Sequence, residues 1–183
     1  MVTLQTERLI LRELTLDDAP ALNTIDGDPV VAHWNGFDAP DLEGTRDYIA
    51  SCMQAAGESP RQYYTLAIVT RADNWLIGRC GLDLGGPDMR EAMVGYCLHR
   101  DLWGQGYMTE AVRALVEYGF RELNLRRIWA DCDPRNTGSW RVMEKAGMRR
   151  EGHALENYRY PDGEWADTYF YAILAREWAA AHG

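Results

Sequence analysis

The stretch Leu98-His99-Arg100-Asp101-Leu102-Trp103-Gly104-Gln105-Gly106-Tyr107-Met108-Thr109-Glu110-Ala111 decides the fold, because a strand ends, a glycine turn follows and an amphipathic helix starts within it. Upstream, Ala92-Met93-Val94-Gly95-Tyr96-Cys97-Leu98 reads as a buried strand. Downstream, Val112, Leu115, Val116, Gly119, Phe120 and Leu123 recur at helical spacing. The first turn of a helix carries unpaired N–H groups and the positive end of the macrodipole, and glycines let an anion approach that backbone closely. No Ser, Asp or Asn stands at the expected cap, around Gln105 or Gly106, to occupy those donors. They stay free for a phosphate ligand.

Two common phosphate-binding patterns are excluded. A dinucleotide fingerprint needs a third glycine and an acidic residue about twenty positions on. Thr109 stands at the third glycine position, and the stretch from Asn124 to Arg127 offers no carboxylate. A phosphate loop ending in Gly-Lys-Ser/Thr is absent too, since Lys145 is the only lysine. What remains is Trp103-Gly-Gln-Gly106-Tyr-Met108, a helix, a strand, and then Asn136-Thr-Gly-Ser139-Trp-Arg-Val-Met143-Glu-Lys-Ala-Gly147-Met148. This succession resembles the GNAT N-acetyltransferases, and within them the branch of the ribosomal-protein N-terminal acetyltransferases RimJ and RimL. The resemblance covers nearly the whole chain.

The family loop motif, Gln/Arg-x-x-Gly-x-Gly/Ala, falls on Trp103, Gly106 and Met108, so only its central glycine is kept. Trp-Gly-x-Gly-Tyr followed by an aliphatic residue and Thr-Glu-Ala is nonetheless a form common in the RimJ/RimL-like branch. The resemblance implies acetyl-CoA as co-substrate, with its pyrophosphate on the amides of Gly104, Gln105, Gly106, Tyr107, Met108 and Thr109. It further implies contacts from Leu98, His99, Trp103 and Asn136, and no metal. The implied fold is α+β, a mixed and mostly antiparallel central sheet with a splayed parallel strand pair and helices on both faces. By position, the main chains of Tyr96 and Leu98 would meet the thioester carbonyl and the pantetheine arm in that splay. Gly95 is read as the bulge that opens it.

At 183 residues and 46% hydrophobic, the chain is long enough for a substantial core, and residues 1–183 are expected to form one domain. The net charge of -9 argues against sequence-independent attraction to nucleic acid or anionic lipid, and no apolar run reaches spanning length. The partners expected are an amine acceptor, either a small molecule or a protein N-terminus, and a second copy in a homodimer, without nucleic acid or membrane. Cys52, Cys80, Cys97 and Cys132 are too widely spaced for a zinc motif, which fits a reduced cytoplasm.

Taken in order, residues 6–14 read as the first strand, and Asp17-Asp18 as a helix start. Residues 27–40 carry turn signals interleaved with aromatics and read as a loop between helices. In acetyltransferases of this kind that region helps to wall the acceptor site, which makes Trp34, Asn35 and Phe37 candidate substrate contacts. Residues 42–56 read as a helix carrying Tyr48, Ile49, Cys52 and Met53 toward the core. Strands over 63–69, 75–82 and 92–98 form a meander with turns at 71–74 and 85–90. After the helix, expected over 109–123, a strand over 127–132 completes a parallel unit. A helix over 136–146 stopped by Gly147 and a hairpin of 148–159 with 165–174 follow.

Amine acetylation needs a neutral nucleophile, a polarised carbonyl and help for the departing thiolate. The sequence names no single base: Asp131, Asp133, His99, Glu156 and Tyr158 all approach the site, Tyr158 also as a substrate contact. Cys97 and Cys132 flank the expected splay, where an acyl-cysteine route ranks below direct transfer. Asn136 is a preferred helix cap and, by the resemblance, a ligand to the CoA arm. Many GNAT enzymes place a tyrosine seven residues after this Asn, but Met143 stands there and a thioether cannot donate a proton. The resemblance makes Ser139 the candidate for stabilising the thiolate. A rival class is an acyl-CoA-binding sensor or interaction module without catalysis.

Overall fold

The computed structural model describes residues 1–86 and 88–182, so Pro87, within the expected 85–90 turn, and Gly183 lie outside the described residues. The strand expected over 6–14 is β2 (Leu9–Glu13), and a short strand outside that range, β1 (Thr3–Gln5), precedes it, because Thr6 N–H donates to Leu9 C=O and turns the chain back on itself. Helix α1 (Ala19–Asp26) follows a short 3-10 turn. The expected loop over 27–40 contains a helix, α2 (Pro29–Asn35). Asp28 caps it by accepting from Val30 N–H, Pro29 supplies the first helical position, and Gly36 ends it at φ +71°. The residues that suggest a turn are the start and stop signals of this short helix.

Helix α3 (Leu42–Ala56) begins at the Asp41 cap and buries Thr45 and Ile49; Met53, expected inside, is exposed. Strands β3 (Tyr63–Thr70), β4 (Leu76–Gly85) and β5 (Glu91–Leu98) form the meander. Helix α4 (Tyr107–Arg121), strand β6 (Arg127–Cys132), helix α5 (Thr137–Lys145), hairpin strands β7 (Arg149–Arg159) and β8 (Trp165–Leu174), and helix α6 (Ala175–His182) complete the chain.

The eight strands lie in the order β1-β2-β3-β4-β5-β6-β8-β7, with β5 and β6 as the parallel pair and every other neighbour antiparallel. Alternation along β5 sends Ala92, Val94 and Leu98 to the core under α4 and α5, while Cys97 joins Leu22, Ile25, Val31 and Ile49 under α1, α2 and α3. The sheet therefore separates two apolar cores. Helix α4 buries Ala111, Val112, Leu115, Val116 and Gly119. A β-carbon on Gly119 would stand 2.8 Å from the Ile128 side chain, so the helix seats on the sheet through that gap in its surface.

The sheet opens between its two parallel strands. Strands β5 and β6 pair only at Glu91–Arg127, Ala92–Ile128 and Met93–Trp129, and beyond those residues they diverge. The register of β5 with β4 runs unbroken from Gly78–Leu98 to Gly85–Glu91. Gly95 is thus not a bulge, and the opening comes from the early end of the β5–β6 ladder.

Candidate active site

The loop that enters α4 has two left-handed residues, Gly104 at φ +76° and Gly106 at φ +83°. Glycine adopts that backbone at no steric cost, which is why the turn carries two of them. Gly106 is the cap residue, and no side chain accepts from the N–H groups of the first turn. A β-carbon on Gly104 would meet no heavy atom within 4 Å, so the approach to this backbone is open. The loop presents unpaired donors to a clear space, as a diphosphate requires.

Arg8 holds the loop from the far end of the chain. Its Nη1 donates to Gln105 C=O at 3.1 Å, its Nε to Glu110 Oε2 at 2.6 Å, and its guanidinium lies 4.3 Å from the Tyr107 ring centroid. Glu110 also accepts from Arg8 N–H at 2.8 Å and from Thr6 Oγ1 at 2.6 Å. Burial acts against the Glu110 carboxylate, and these donors outweigh it, holding its pKa below the ordinary value. Beside the loop is a cavity of about 640 Å³ lined by Arg8, Arg71, Trp75, Leu102 and Tyr107.

Main-chain direction along β5 follows from one bond. His99 N–H donates to Ile77 C=O of β4, so alternation turns Tyr96 and Leu98 toward β6, where the ladder has already ended. The Leu98 carbonyl is taken, accepting from the Trp103 indole at 2.9 Å. The Leu98 N–H, like the main-chain groups of Tyr96, still faces the gap. Trp103 pins the loop, and His99 caps the turn before it by accepting from Asp101 N–H at 3.3 Å.

On the other side of the gap, Asn136 caps α5. Its Oδ1 accepts from Ser139 N–H at 3.2 Å, leaving the side-chain amide to donate elsewhere. The Tyr96 hydroxyl, which sequence reasoning passes over in favour of the main chain, reaches across the gap to Ser139: 3.0 Å to its Oγ and 3.1 Å to its carbonyl oxygen. Alternation aims Tyr96 at the α4–α5 face, but nothing in the sequence names its partner. Burial holds this phenol well above its usual pKa, so it is neutral. Cys132 lies on the same face, where burial pushes its thiol up to about 11. Cys97 has the opposite parity, so its thiol lies on the other face of the sheet from Cys132 and Ser139 and donates to Asp26 Oδ1 at 3.2 Å beneath α1.

The opposite face of the sheet carries a cavity of about 510 Å³ between α3 and β3–β5, lined by Tyr48, Cys52, Tyr63, Arg79, Asp83, Met93 and Gly95 among others. A β-carbon on Gly95 would meet nothing within 4 Å, so the cavity reaches the gap at that residue. Arg79 is neutralised by Asp26, Nε to Oδ2 at 2.9 Å. Trp34, Asn35 and Phe37 stand beside this cavity rather than in its lining. The Asn35 amide donates to Val31 C=O at 2.9 Å, Phe37 lies 5.8 Å from the Arg79 guanidinium, and Trp34 meets His33 edge-on. Tyr158 ties β7 to this region by donating to Gly36 C=O at 3.2 Å, and His33 stacks on Tyr160. Of the other expected bases, Glu156 sits in a kink of β7 at φ +44°, and Asp133 is held by Arg135 and Tyr160.

An acetyltransferase (GNAT) domain pattern matches residues 8–149. The chain belongs to the GNAT acetyltransferase family. Over 180 residues it is 36% identical to p20, an N-acetyltransferase of Bacillus licheniformis, covering 98% of this chain and 99% of that one. Among solved structures, a GNAT-family acetyltransferase from Bacillus anthracis superposes with a TM-score of 0.84 at 29% identity, covering 96% of this chain and 99% of that one. RimL, a ribosomal L7/L12 α-N-protein acetyltransferase solved with coenzyme A, superposes at 0.83 with 21% identity, covering 94% and 98%. The eight-stranded sheet with its splayed parallel pair is the GNAT fold, and the protein is an acetyltransferase. Among the described residues no helix is long and apolar enough to cross a membrane.

Proposed function

We propose that this GNAT enzyme transfers the acetyl group of acetyl-CoA directly to a primary amine, which enters from the α3 face of the sheet. The observation that carries the reading is the uncapped start of α4 behind two left-handed glycines, set beside a sheet that opens at Met93 and Trp129. The residues present suit the co-substrate. Amides from Gly104 to Thr109 would hold its diphosphate, and the cavity beside Arg8, Arg71 and Trp75 would take its nucleotide end. The side-chain amide of Asn136 and the main chain of Tyr96 border the path of its arm.

In this reading the Tyr96 N–H polarises the thioester carbonyl, and the Ser139 hydroxyl donates to the departing sulfur. In the same reading the Tyr96 phenol turns its one proton to Ser139 Oγ rather than to the Ser139 carbonyl, which fixes the hydroxyl and makes it a better donor. The phenol supplied by β5 thus stands in for the one absent at Met143. The acceptor is an amine of a small molecule or of a protein N-terminus; RimL, named for an α-amino acceptor, shares the fold.

Calorimetric titration with acetyl-CoA, followed by thiol release across a panel of amines and N-terminal peptides, tests the reading. Saturable binding with turnover of at least one amine is expected. Absence of acetyl-CoA binding by the folded protein overturns it.

A further inference from the structure

We infer that Asp131 is the proton acceptor for the incoming amine: it is the carboxylate that borders the gap between β5 and β6 on the face that carries the cavity. The inference rests on the transfer reaction proposed above.

Register places it. The parallel ladder ends at Met93–Trp129, and Asp131 and Gly95 each lie two residues further on, so each keeps the face of those last partners. Gly95 has no side chain and open space above it, so an amine in the cavity can reach the gap there. Asp131 stands on the other bank. Its cross-strand neighbour on β8 is Phe170, whose own β7 partner is Gly152. Neither offers a charge.

Most of the carboxylates near the site are committed. Asp133 is gripped by Arg135, Asp26 by Arg79, and Asp167 by His153. Asp131 is exposed and has no ion-pair or side-chain hydrogen-bond partner among the described residues, and the partial desolvation of its carboxyl beside the sheet raises its pKa above the ordinary value. The titratable groups that sense its charge are the Tyr96 phenol and the Cys132 thiol, both neutral at pH 7. Nothing nearby competes for its proton. Asp83 is also without a partner and raised by burial, but it lies on β4, with β5 between it and the gap.

The proton balance closes. Asp131 takes one proton from the ammonium and frees the nitrogen lone pair. The C–N bond forms at the thioester carbonyl and the C–S bond breaks. The second N–H proton goes to sulfur by way of the Ser139 hydroxyl, and Asp131 returns its proton to water. An α-amine, with an ordinary pKa near 8, needs only such a weak base.

The test uses the full chain and an amine the wild type acetylates. Asp131→Asn should lower kcat by about 10² to 10⁴-fold, with the acetyl-CoA Kd held within about twofold. The acidic limb of the kcat–pH profile should vanish in Asp131→Asn, and sodium formate should restore turnover saturably to Asp131→Ala. Asp83→Asn should change the acceptor KM and keep the limb. A kcat within about threefold of wild type with an unchanged profile overturns the assignment, as does loss of the limb in Asp83→Asn instead. Should Asp131→Asn fail to fold, Asp131→Glu decides: an acidic limb that stays where it was sinks the idea. If the wild type binds acetyl-CoA but acetylates nothing in the panel, the transfer reading falls before any variant is made, and this assignment with it.

Discussion

The Tyr96 hydroxyl lies 3.0 Å from Ser139 Oγ, a contact between residues 43 positions apart that spans the divergence of β5 and β6. If the pair acts as one unit on the leaving thiolate, Ser139→Ala should lower kcat and kcat/KM together and leave the acetyl-CoA Kd nearly unchanged. Tyr96→Phe should lose less. The double variant should show a coupling of about 0.5–3 kcal/mol in the cycle; strictly additive losses would separate the two residues.

The loop makes a second prediction. Substituting Gly106 with valine would force a branched residue into φ +83°, mixing strain with loss of binding. Gly104→Asn is the cleaner probe, because asparagine tolerates the left-handed backbone and open space surrounds the added atoms. We expect a thermal midpoint close to wild type and acetyl-CoA affinity weakened by about tenfold or more, as for a blocked approach worth about 1.4 kcal/mol. Unchanged affinity by calorimetry would move the diphosphate elsewhere.

Arg79 and Asp26 form a nearly buried ion pair, with side-chain exposures of 17% and 5%. Removing one partner strands the other, so Asp26→Ala should destabilise by about 3–5 kcal/mol in urea unfolding. Replacing both, as Asp26→Leu with Arg79→Met, should recover much of that loss. Because Arg79 also lines the α3-face cavity, the single variant leaves an unbalanced cation there, and the KM for a cationic acceptor should rise.

Acid should weaken the fold through Asp18. Burial opposes its charge, but bidentate bonds from Arg12 and one from Thr15 N–H outweigh it and lower its pKa. A carboxyl depressed in the native state stabilises fully above its unfolded value of about 3.9 and loses that contribution as pH falls through the native one. Wild-type urea midpoints should therefore drop from about pH 5 to about pH 3 more steeply than those of Asp18→Asn. Parallel curves would remove Asp18 from the acid response.

The elements legible in the sequence are those whose signals are local. The spacing of Val112, Leu115 and Val116 announces α4, and Gly104-x-Gly106 announces the loop, because period and backbone freedom are written in neighbouring residues. Helix α2 escapes a local reading because Asp28-Pro29 and Gly36 serve turns and short helices alike, and only the burial of Val31 and Ala32 decides between them. The parity of Cys97 opposes that of Tyr96, a signal present in the sequence that already puts this thiol on the other face of the sheet from Ser139. The bond from Tyr96 to Ser139 and the grip of Arg8 on Glu110 have no signal at all. They depend on how distant segments meet, which no local pattern encodes.

The Arg8–Glu110 pair bears on the order of assembly. Arg8 leaves the ribosome early, while its carboxylate partner is made 102 residues later. Strand β3 can pair with β2 before α4 is made, but the turn at Thr6 to Arg8 meets its carboxylate only when α4 exists. Contacts of such long sequence separation form slowly, because loop closure must come before they contribute. The turn before β2 and the cofactor loop are thus held by one clasp of long sequence separation, so the loop is braced only when the two ends of that clasp meet.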